Sequence, residues 1–436
     1  MNSKIVQLAK GLQQKTVARR RDFHKYPETA WTEFRTASIV ADTLTQLGYE
    51  VFCGPEVVAE QAMMGVPAMA ELAEHKQRSL EQGAIRHWVE KMPSGMTGVV
   101  GIMHFKRPGP TVALRFDMDA NDLNEAENSE HRPYQQGFAS VNENVMHACA
   151  HDGHTAIGLA LAEILSNLAP DLAGTIKLIF QPGEEGVRGA KSMVEKGVVD
   201  DVDFLVGLHL GANLFKLGQV SYKTDGFFAT TKIDAEFTGI PAHAGAKPET
   251  GRNALLAAAN ALINLQAISR HSQGESRINV GVLQGGTGRN VIPAHAVIKL
   301  EIRGSHSEVT HYMHQEAIRI IEAAAAMQGV AVKTSIMGAA TAAQNDEELA
   351  QRVKGIAQKL GIFTEILAAD AGGGSEDCTY FMERVQQKGG QAIYTLIGTE
   401  LAAGHHDSRF DFNEDALEYA VIFLAGTATE LLNSHS

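Results

Sequence analysis

A twelve-residue stretch at 145–156, VMHACAHDGHTA, contains three histidines, a cysteine and an aspartate. Within it, Cys149 and His151 are separated by one residue, so a thiolate and an imidazole can be presented to one site. These ligand types suit zinc and its neighbouring metals, and a thiolate can bridge two ions. The motif alone leaves a reactive thiol or a structural polar turn as alternatives. For His154 we expect helix capping or a hydrogen bond to a ligand rather than direct metal binding.

Other groups that could bind metal or move protons follow segments that read as buried strands. They are Asp117, Asp119, Glu184, Glu185, His209, His405 and His406. In open α/β sheets, ligands bind in the crevice outside the carboxyl ends of the strands, so groups that are distant in sequence meet there. We therefore expect these side chains to converge with Cys149 and His151 on one site.

Each of these groups also has a plainer interpretation on its own. Glu184 and Glu185 could form a solvated acidic turn, and His209 could be a satisfied polar group at a strand end. Adjacent side chains in a tight loop cannot point the same way, so one glutamate is expected to bind metal while the other faces the substrate. Asp117 and Asp119 alternate, so only one of them faces the site unless the strand has already ended.

The bulk composition excludes some classes of partner. The chain has 436 residues, of which 44% are hydrophobic and 20% charged, as in soluble globular proteins. A net charge of −13 argues against nucleic acid and against an anionic membrane surface as partners. The N-terminal residues lack the apolar core of a secretory signal, and no stretch is apolar enough for a membrane span. The cysteines, Cys53, Cys149 and Cys378, form no disulfide framework, and we expect a cytoplasmic protein.

The fold class follows from the alternation of strand-like and helix-like segments. The clearest strand-like segments lie at 111–120, 174–186, 202–211 and 390–400. Because helical patterns lie between such strands, we expect an α/β domain with a mixed, mostly parallel sheet flanked by helices. The middle of the chain, roughly 226–338, reads as β-α-β-β-α-β, which predicts an inserted ferredoxin-like α+β domain.

The domain boundaries follow from this change in the order of strand-like and helix-like segments. We expect a catalytic domain that would hold the metals at 1–224 and 339–436, and a lid or dimerisation domain at 225–338. Residues 54–98 read as a helical insertion in the catalytic domain, and the sequence assigns them no role.

The ordered set of motifs resembles one enzyme family, the M20 metallopeptidases, in the amidohydrolase branch that includes plant auxin-conjugate hydrolases and bacterial aminoacylases. The matching stretches are RRDFHKYPETAWTEFRTA, LRFDMDA, MHACAHDGHT, FQPGEEG, GLHLG, TGIPAHAGAKPETGRNAL, GGTGRNVIPAHA, GSEDCTYF and AGHHDSRFDF. They run in order from residue 20 to residue 412 and so cover nearly the whole chain. The ordered set is specific, although no single motif would be.

The resemblance implies a site for two divalent metal ions, manganese or zinc. Carried over by position, the ligands would be Cys149 as the bridge, with His151, Glu185, His209 and His406. Glu184 would be the general base, and Asp119 would orient a histidine ligand.

Two details of the match qualify this assignment. His406 is preferred to His405 because it lies four residues before Phe410, as the family spacing requires. The family usually has glycine where this chain has Ala150, so a turn with positive φ at this position would be strained here.

The resemblance also implies residues that bind the substrate. His243 resembles a histidine that reaches the site of a partner subunit, and Asn290 and Arg303 resemble residues that hold the substrate carboxylate. Arginine suits this role because its planar fork binds a carboxylate bidentately, although Arg303 could also be a surface strand residue. Lys247 is a further candidate for contact with the substrate.

The expected activity is hydrolysis of the amide bond of an N-acyl-glutamate, p-aminobenzoyl-glutamate, to p-aminobenzoate and glutamate. The resemblance implies a homodimer or a heterodimer with a homologous B subunit. The nearest alternative is a broader N-acyl-amino-acid amidohydrolase. A non-catalytic, metal-holding partner of an active subunit and a hydrolase with Cys149 as its nucleophile are rivals from other classes.

Overall fold

The computed structural model describes residues 1–434 of the chain. Its strands are β1 (Glu50–Cys53), β2 (Val99–His104), β3 (Arg107–Asp117), β4 (Ala173–Gln181), β5 (Phe204–Leu210), β6 (Gln219–Asp225), β7 (Ala229–Thr238), β8 (Ser276–Gly285), β9 (His295–Gly304), β10 (Ala331–Ala340), β11 (Glu365–Asp370) and β12 (Gln391–Ile397). Its α-helices are α1 (Asn2–Lys25), α2 (Phe34–Gln46), α3 (Met69–Glu81), α4 (Arg86–Val89), α5 (Arg132–Gln135), α6 (His151–Leu168), α7 (Ala190–Glu195), α8 (Ala254–Leu265), α9 (Ser307–Gln328), α10 (Glu347–Leu360), α11 (Cys378–Gln387) and α12 (Asp415–Leu432).

The chain divides into two compact units. The large unit contains Met1–Asp225, Ala343–Ala371 and the residues from Asp377 onward, and the small unit contains Gly226–Ala342 and Gly372–Glu376. Within residues 1–434, none of the helices is long and apolar enough to cross a bilayer.

The large unit is built on one mixed sheet with the strand order β1-β2-β4-β3-β5-β12-β6-β11. Its central strands β4, β3, β5 and β12 are neighbours and run parallel, whereas β1, β2 and the β12–β6 pair contribute antiparallel contacts. The central strands are apolar and buried along almost their whole length, as expected for parallel strands covered by helices on both faces. The predicted fold class, a mostly parallel sheet flanked by helices, is confirmed.

Helix α6 lies close to the centre of this sheet because of one glycine. A Cβ atom on Gly158 would lie 2.7 Å from a ring carbon of Phe180 and 2.8 Å from one of Phe116. Only glycine lets the helix backbone approach the two rings of β3 and β4 so closely. This contact fixes the helix whose first residue is His151.

The small unit has a four-stranded antiparallel sheet with the order β10-β7-β9-β8. Helices α8 and α9 pack on it, and the chain order is strand, helix, two strands, helix, strand. Buried and less buried residues alternate along β9, as expected for a sheet with one covered face. This is the order of strands and helices that the sequence predicted, and the role of this unit as a lid or dimerisation domain stays a prediction.

The segment 54–98 is only partly helical. It contains α3 and the single turn α4, and the remainder consists of 3-10 turns and irregular backbone.

Candidate metal centre

The four central strands bring the predicted groups together at their carboxyl ends. Strand β3 ends at Asp117, β4 ends three residues before Glu184, and His209 is the penultimate residue of β5. Several sets of three side chains in the large unit have possible ligand atoms that all lie within 4.8 Å of one another. These sets are Cys149, His151 and His209; Asp117, His151 and His154; Cys149, Glu185 and His406; and His151, Glu184 and Glu185.

A left-handed turn presents Cys149 and His151 to this cluster. Ala150, between them, has φ 66° and ψ 12° and is fully buried, and α6 begins at the next residue. Ala150 therefore has the positive φ that, in the sequence analysis, would strain an alanine at this position, because its Cβ atom disfavours the left-handed conformation. The turn places Sγ of Cys149 3.5 Å from Nε2 of His209.

The His151 ring has one nitrogen engaged and one directed into the cluster. Nδ1 lies 2.8 Å from the carbonyl oxygen of Asp119, to which it donates a hydrogen bond. Nε2 is buried and makes no hydrogen bond within residues 1–434, while carboxylate oxygens of Asp117 and Glu184 lie 3.7 Å and 3.8 Å from it. A buried nitrogen without a hydrogen bond needs an explanation, and a bound ion is one.

The His209 ring is arranged in the same way. Its Nδ1 donates to the carbonyl oxygen of Leu210 at 2.8 Å, which leaves Nε2 facing Cys149. Burial, together with the neighbouring imidazoles of His154 and His405, lowers the pKa of His209 well below its usual range and keeps the ring neutral. Histidine ligands of metals typically donate their second N–H to a carbonyl group or a carboxylate in this manner. The donor set of thiol, imidazole and carboxylate therefore fits a zinc-like divalent ion.

The backbone of the Glu184–Glu185 loop is held by Asp119. One carboxylate oxygen of Asp119 accepts the N–H of Glu184 at 2.9 Å, and the other accepts the N–H of Glu185 at 2.8 Å. The sequence predicted that Asp119 orients a histidine. In the structure its main-chain carbonyl contacts His151, and its carboxylate, 3.4 Å from Nδ1 of that ring, mainly positions the loop.

Of the adjacent histidines, His406 is the one that faces the carboxylates. Its Nε2 lies 3.2 Å from Oε1 of Glu185, and its backbone N–H donates to the carbonyl oxygen of Ala148. His405 instead packs against the rings of His209 and Phe410.

Burial and charge set the protonation of two groups in the cluster. Burial, reinforced by the negative charge of Glu185, raises the pKa of the Cys149 thiol well above its usual range. Burial also opposes ionisation of Glu185, but the hydrogen bond from His406 outweighs it and lowers the pKa of Glu185 to about 2. Cys149 is therefore a poor nucleophile unless a cation stabilises the thiolate.

Asp117, which the sequence named only as one of the converging groups, pairs with His154 and Arg115. Its carboxylate lies 2.5 Å from Nδ1 of His154 and 2.5 Å from the guanidinium of Arg115. Nε2 of His154 accepts the N–H of Leu210 at 3.0 Å, so both nitrogens of this ring are engaged. The alternation of Arg115 and Asp117 at the buried end of β3 was the signal for such a pair, since buried charges are normally paired.

In the small unit, His243 and Asn290 lie in adjacent loops. The carbonyl oxygen of Asn290 accepts the N–H of Ala244, and His243 pairs with Val291 as an isolated bridge. Nδ1 of His243 accepts the N–H groups of Gly245 and Ala246, both at 3.1 Å, so the ring proton is on Nε2.

Arg303 lies at the other end of β9 from this pair of loops. It contacts the carboxylate of Glu301 and donates to the carbonyl oxygen of Gly373 at 3.2 Å. His295, the first residue of β9, lies eight positions before Arg303, and eight positions of extended strand span about 27 Å. Asn290 lies in the loop that precedes β9, whereas Arg303 lies near the end of that strand, and their joint role at a substrate carboxylate stays a prediction.

Comparisons with known proteins agree with the resemblance found in the motifs. Residues 113–430 match the model described as peptidase family M20/M25/M40. The A subunit of the p-aminobenzoyl-glutamate hydrolase of Escherichia coli (strain K12) is 52% identical over 410 residues, which are 94% of each chain. An indole-3-acetyl-aspartic acid hydrolase of Enterobacter agglomerans is 51% identical over 416 residues, again 94% of each chain.

Solved structures share the fold over nearly the whole chain. An aminobenzoyl-glutamate utilization protein from Klebsiella pneumoniae has a TM-score of 0.84 and 40% identity, with 97% of each chain covered. A dinuclear metal binding peptidase of the M20 family from Bacillus subtilis has a TM-score of 0.67 and 24% identity, covering 98% of this chain and 100% of that one.

Proposed function

The chain belongs to peptidase family M20/M25/M40, and we propose that it is a metal-dependent amidohydrolase that cleaves p-aminobenzoyl-glutamate to p-aminobenzoate and glutamate. One observation carries the metal site. The rings of His151 and His209 each commit Nδ1 to a backbone carbonyl and turn Nε2 toward Cys149 or the carboxylates.

In this proposal the site holds two divalent ions, manganese or zinc. The residues that would hold them are Cys149, His151, Glu185, His209 and His406. When bound, such ions lower the pKa of a water molecule and polarise the scissile carbonyl group.

The remaining chemistry belongs to side chains of the large unit. Glu184, on the loop held by Asp119, accepts the proton of the attacking water and delivers it to the leaving amine as general acid. Nε2 of His151 lies within 4 Å of this carboxylate and of that of Asp117. Glu184 is therefore the catalytic residue of the proposal, and Asp119 positions it.

The substrate contacts and the quaternary structure complete the proposal. His243 presents its Nε2–H as a donor, and Asn290 lies beside it, while Arg303 supplies a guanidinium for a substrate carboxylate. In this proposal a second copy of the small unit supplies one of these two residues, since Asn290 precedes β9 and Arg303 lies near the end of that strand. Two relatives are named as the A subunit of such a hydrolase or its homolog, which supports a heterodimer with a homologous B subunit. The alternative assembly is a homodimer.

The second candidate substrate differs in its acyl group. The relative from Enterobacter agglomerans is nearly as similar, and its name gives an indole-3-acetyl group on aspartic acid. Both names contain an acidic amino acid, so the amine side of the substrate is common to them and the acyl side is not. A broader N-acyl-amino-acid amidohydrolase is therefore the alternative function.

The test is hydrolysis by the purified protein, stripped of metal and then reloaded with Mn²⁺ or Zn²⁺. Release of glutamate and of aspartate is followed with p-aminobenzoyl-glutamate and with indole-3-acetyl-aspartate. Glu184→Gln is expected to lower kcat about 100- to 10,000-fold with metal still bound, because a general base is lost. Glu195→Gln, an exposed glutamate on α7, is the matched control and should retain activity.

Each outcome separates the alternatives. Faster turnover of the aminobenzoyl substrate supports the proposal, and faster turnover of the indole substrate favours the alternative. Activity that survives full metal removal would overturn the metal mechanism and favour Cys149 as nucleophile. No activity in fully metallated protein, alone or with a co-expressed partner, would favour a non-catalytic role.

A further inference from the structure

A third carboxyl group lies beneath the Glu184–Glu185 loop. Glu33, the residue before the first turn of α2, is fully buried. Its Oε1 accepts the N–H of Gly183 at 2.8 Å, and its Oε2 lies 2.6 Å from the hydroxyl oxygen of Thr97. The first of these bonds joins Glu33 directly to the loop.

The loop therefore presents three consecutive main-chain N–H groups to two buried carboxyl groups. Gly183 donates to Glu33, whereas Glu184 and Glu185 donate to the two oxygens of Asp119. A buried N–H without an acceptor is unfavourable, so each carboxyl group fixes the loop at one end of this row. Gly183 has φ 60°, and a displaced loop would release the turn that places both glutamate side chains.

We propose that Glu33 is a positioning residue of the hydrolytic site, which holds the metal ligand Glu185 and the base Glu184 in place through Gly183. The expected effect of Glu33 on kcat rests on the proposed function, whereas its expected effect on the position of the loop does not. Glu33 acts through the loop backbone rather than by contact with the reacting groups.

The charge of Glu33 is consistent with this position. Burial and the neighbouring charge of Asp119 raise the pKa of Glu33 well above its usual range. A neutral carboxyl group satisfies every contact, because Oε2–H can donate to Thr97 while the Thr97 hydroxyl donates to the carbonyl oxygen of Gly95, 3.3 Å away. A glutamine amide has the same donor and acceptor arrangement and nearly the same shape.

The test compares substitutions at Glu33 with substitutions at Glu28. Glu28 is equally buried, and it accepts two backbone N–H groups, those of Arg35 and Thr36, both at 2.9 Å, which lie outside the loop. Glu33→Ala and Glu28→Ala are both expected to lower Tm. Only Glu33→Ala is expected to weaken Mn²⁺ binding and to lower kcat, each by about 10- to 100-fold, as for other residues that orient metal ligands.

Two further readouts are independent of turnover. Amide hydrogen exchange in the peptide around Gly183 should become about tenfold faster or more in Glu33→Ala and stay unchanged in Glu28→Ala. Glu33→Gln should restore metal binding, exchange protection and kcat to near the wild-type values. Glu33→Asp keeps the acid but shortens the side chain, and it should show the same defects if the alanine variant does not fold.

The inference is overturned if Glu33→Ala retains wild-type Mn²⁺ affinity and loop protection, or if Glu28→Ala impairs them equally. A glutamine variant as defective as alanine would also overturn it, since the acceptor geometry is then insufficient. Failure of the wild type to hydrolyse either substrate would count against the proposed function alone, because metal affinity and hydrogen exchange still test the loop.

Discussion

A buried histidine makes the stability of the large unit depend on pH. His24 is fully buried, with Nδ1 2.8 Å from a carboxylate oxygen of Asp152 and Nε2 2.9 Å from one of Glu125. Each ring nitrogen thus faces an acceptor, which suits a doubly protonated ring. Burial and the charge of Arg20 oppose this form, but the hydrogen bonds to the two carboxylates outweigh them and raise the pKa of His24 to about 9.

The size and sign of the effect follow from this shift. A rise from 6.5 to about 9 corresponds to about 3 kcal/mol of unfolding free energy. Because the pKa in the folded protein lies above the unfolded value, the stabilisation is fully present below about pH 6.5 and is lost as the pH rises through about 9. Asp152 and Glu125 stay ionised in this window, since their pKa values are lowered by the neighbouring cations despite burial. The nearby His147 stays neutral because burial lowers its pKa to about 3.

Urea unfolding of the wild type and of His24→Asn between about pH 6 and about pH 9.5 measures this contribution. The difference in unfolding free energy between the two proteins should shrink by about 3 kcal/mol across that range. His104→Asn, at an exposed histidine, is the matched control for the substitution. A wild-type advantage over His24→Asn that is constant with pH would refute the assignment of a charged His24.

The remaining predictions concern α6 and the metal. Gly158→Ala should lower the unfolding free energy by about 1–3 kcal/mol in thermal and urea unfolding, because the new methyl group would meet the rings of Phe116 and Phe180. Gly11→Ala, in α1 with open space around it, should instead raise stability by about 1 kcal/mol, and equal effects at the two sites would contradict this reading. Ala150→Gly should change the unfolding free energy by less than about 1 kcal/mol. The relief of backbone strain at φ 66° offsets two losses, the buried methyl group and the lower entropy of the unfolded alanine chain. A loss of about 2 kcal/mol would show that this backbone conformation carries no strain. Removing metal with a chelator should lower Tm and abolish hydrolysis, with both restored by Mn²⁺ or Zn²⁺, and an unchanged Tm would argue against an ion bound by the folded state.

The sequence was sufficient for the sheet and for the convergence at its edge. Apolar strands that end in acids or histidines identified β3, β4 and β5 and the loop after β12, because chemistry at the carboxyl ends of parallel strands follows from topology. The condition raised for Ala150 could also be stated in advance, because the resemblance places a glycine at this position and glycine commonly marks a positive φ.

Other features depend on tertiary contacts that no local pattern contains. Glu33 lies 150 residues before Gly183 in the chain, so no spacing connects them. Asn290 likewise precedes β9 and Arg303 lies near its end, a placement that the resemblance, which assigned both to one substrate carboxylate, does not contain. The course of the backbone after β3 decides whether His151 contacts the main-chain oxygen or a carboxylate oxygen of Asp119. The residue type alone does not predict this.

That last contact has a consequence for mutagenesis. The hydrogen bond that fixes the tautomer of His151 is accepted by the carbonyl oxygen of residue 119, which every amino acid possesses. Substituting Asp119 therefore removes the two acceptors of the Glu184–Glu185 loop and leaves the histidine anchored. A phenotype of Asp119→Ala would thus report mainly on the acidic loop, because His151 keeps its hydrogen bond to the main-chain carbonyl and loses only the 3.4 Å contact of its Nδ1 with the carboxylate.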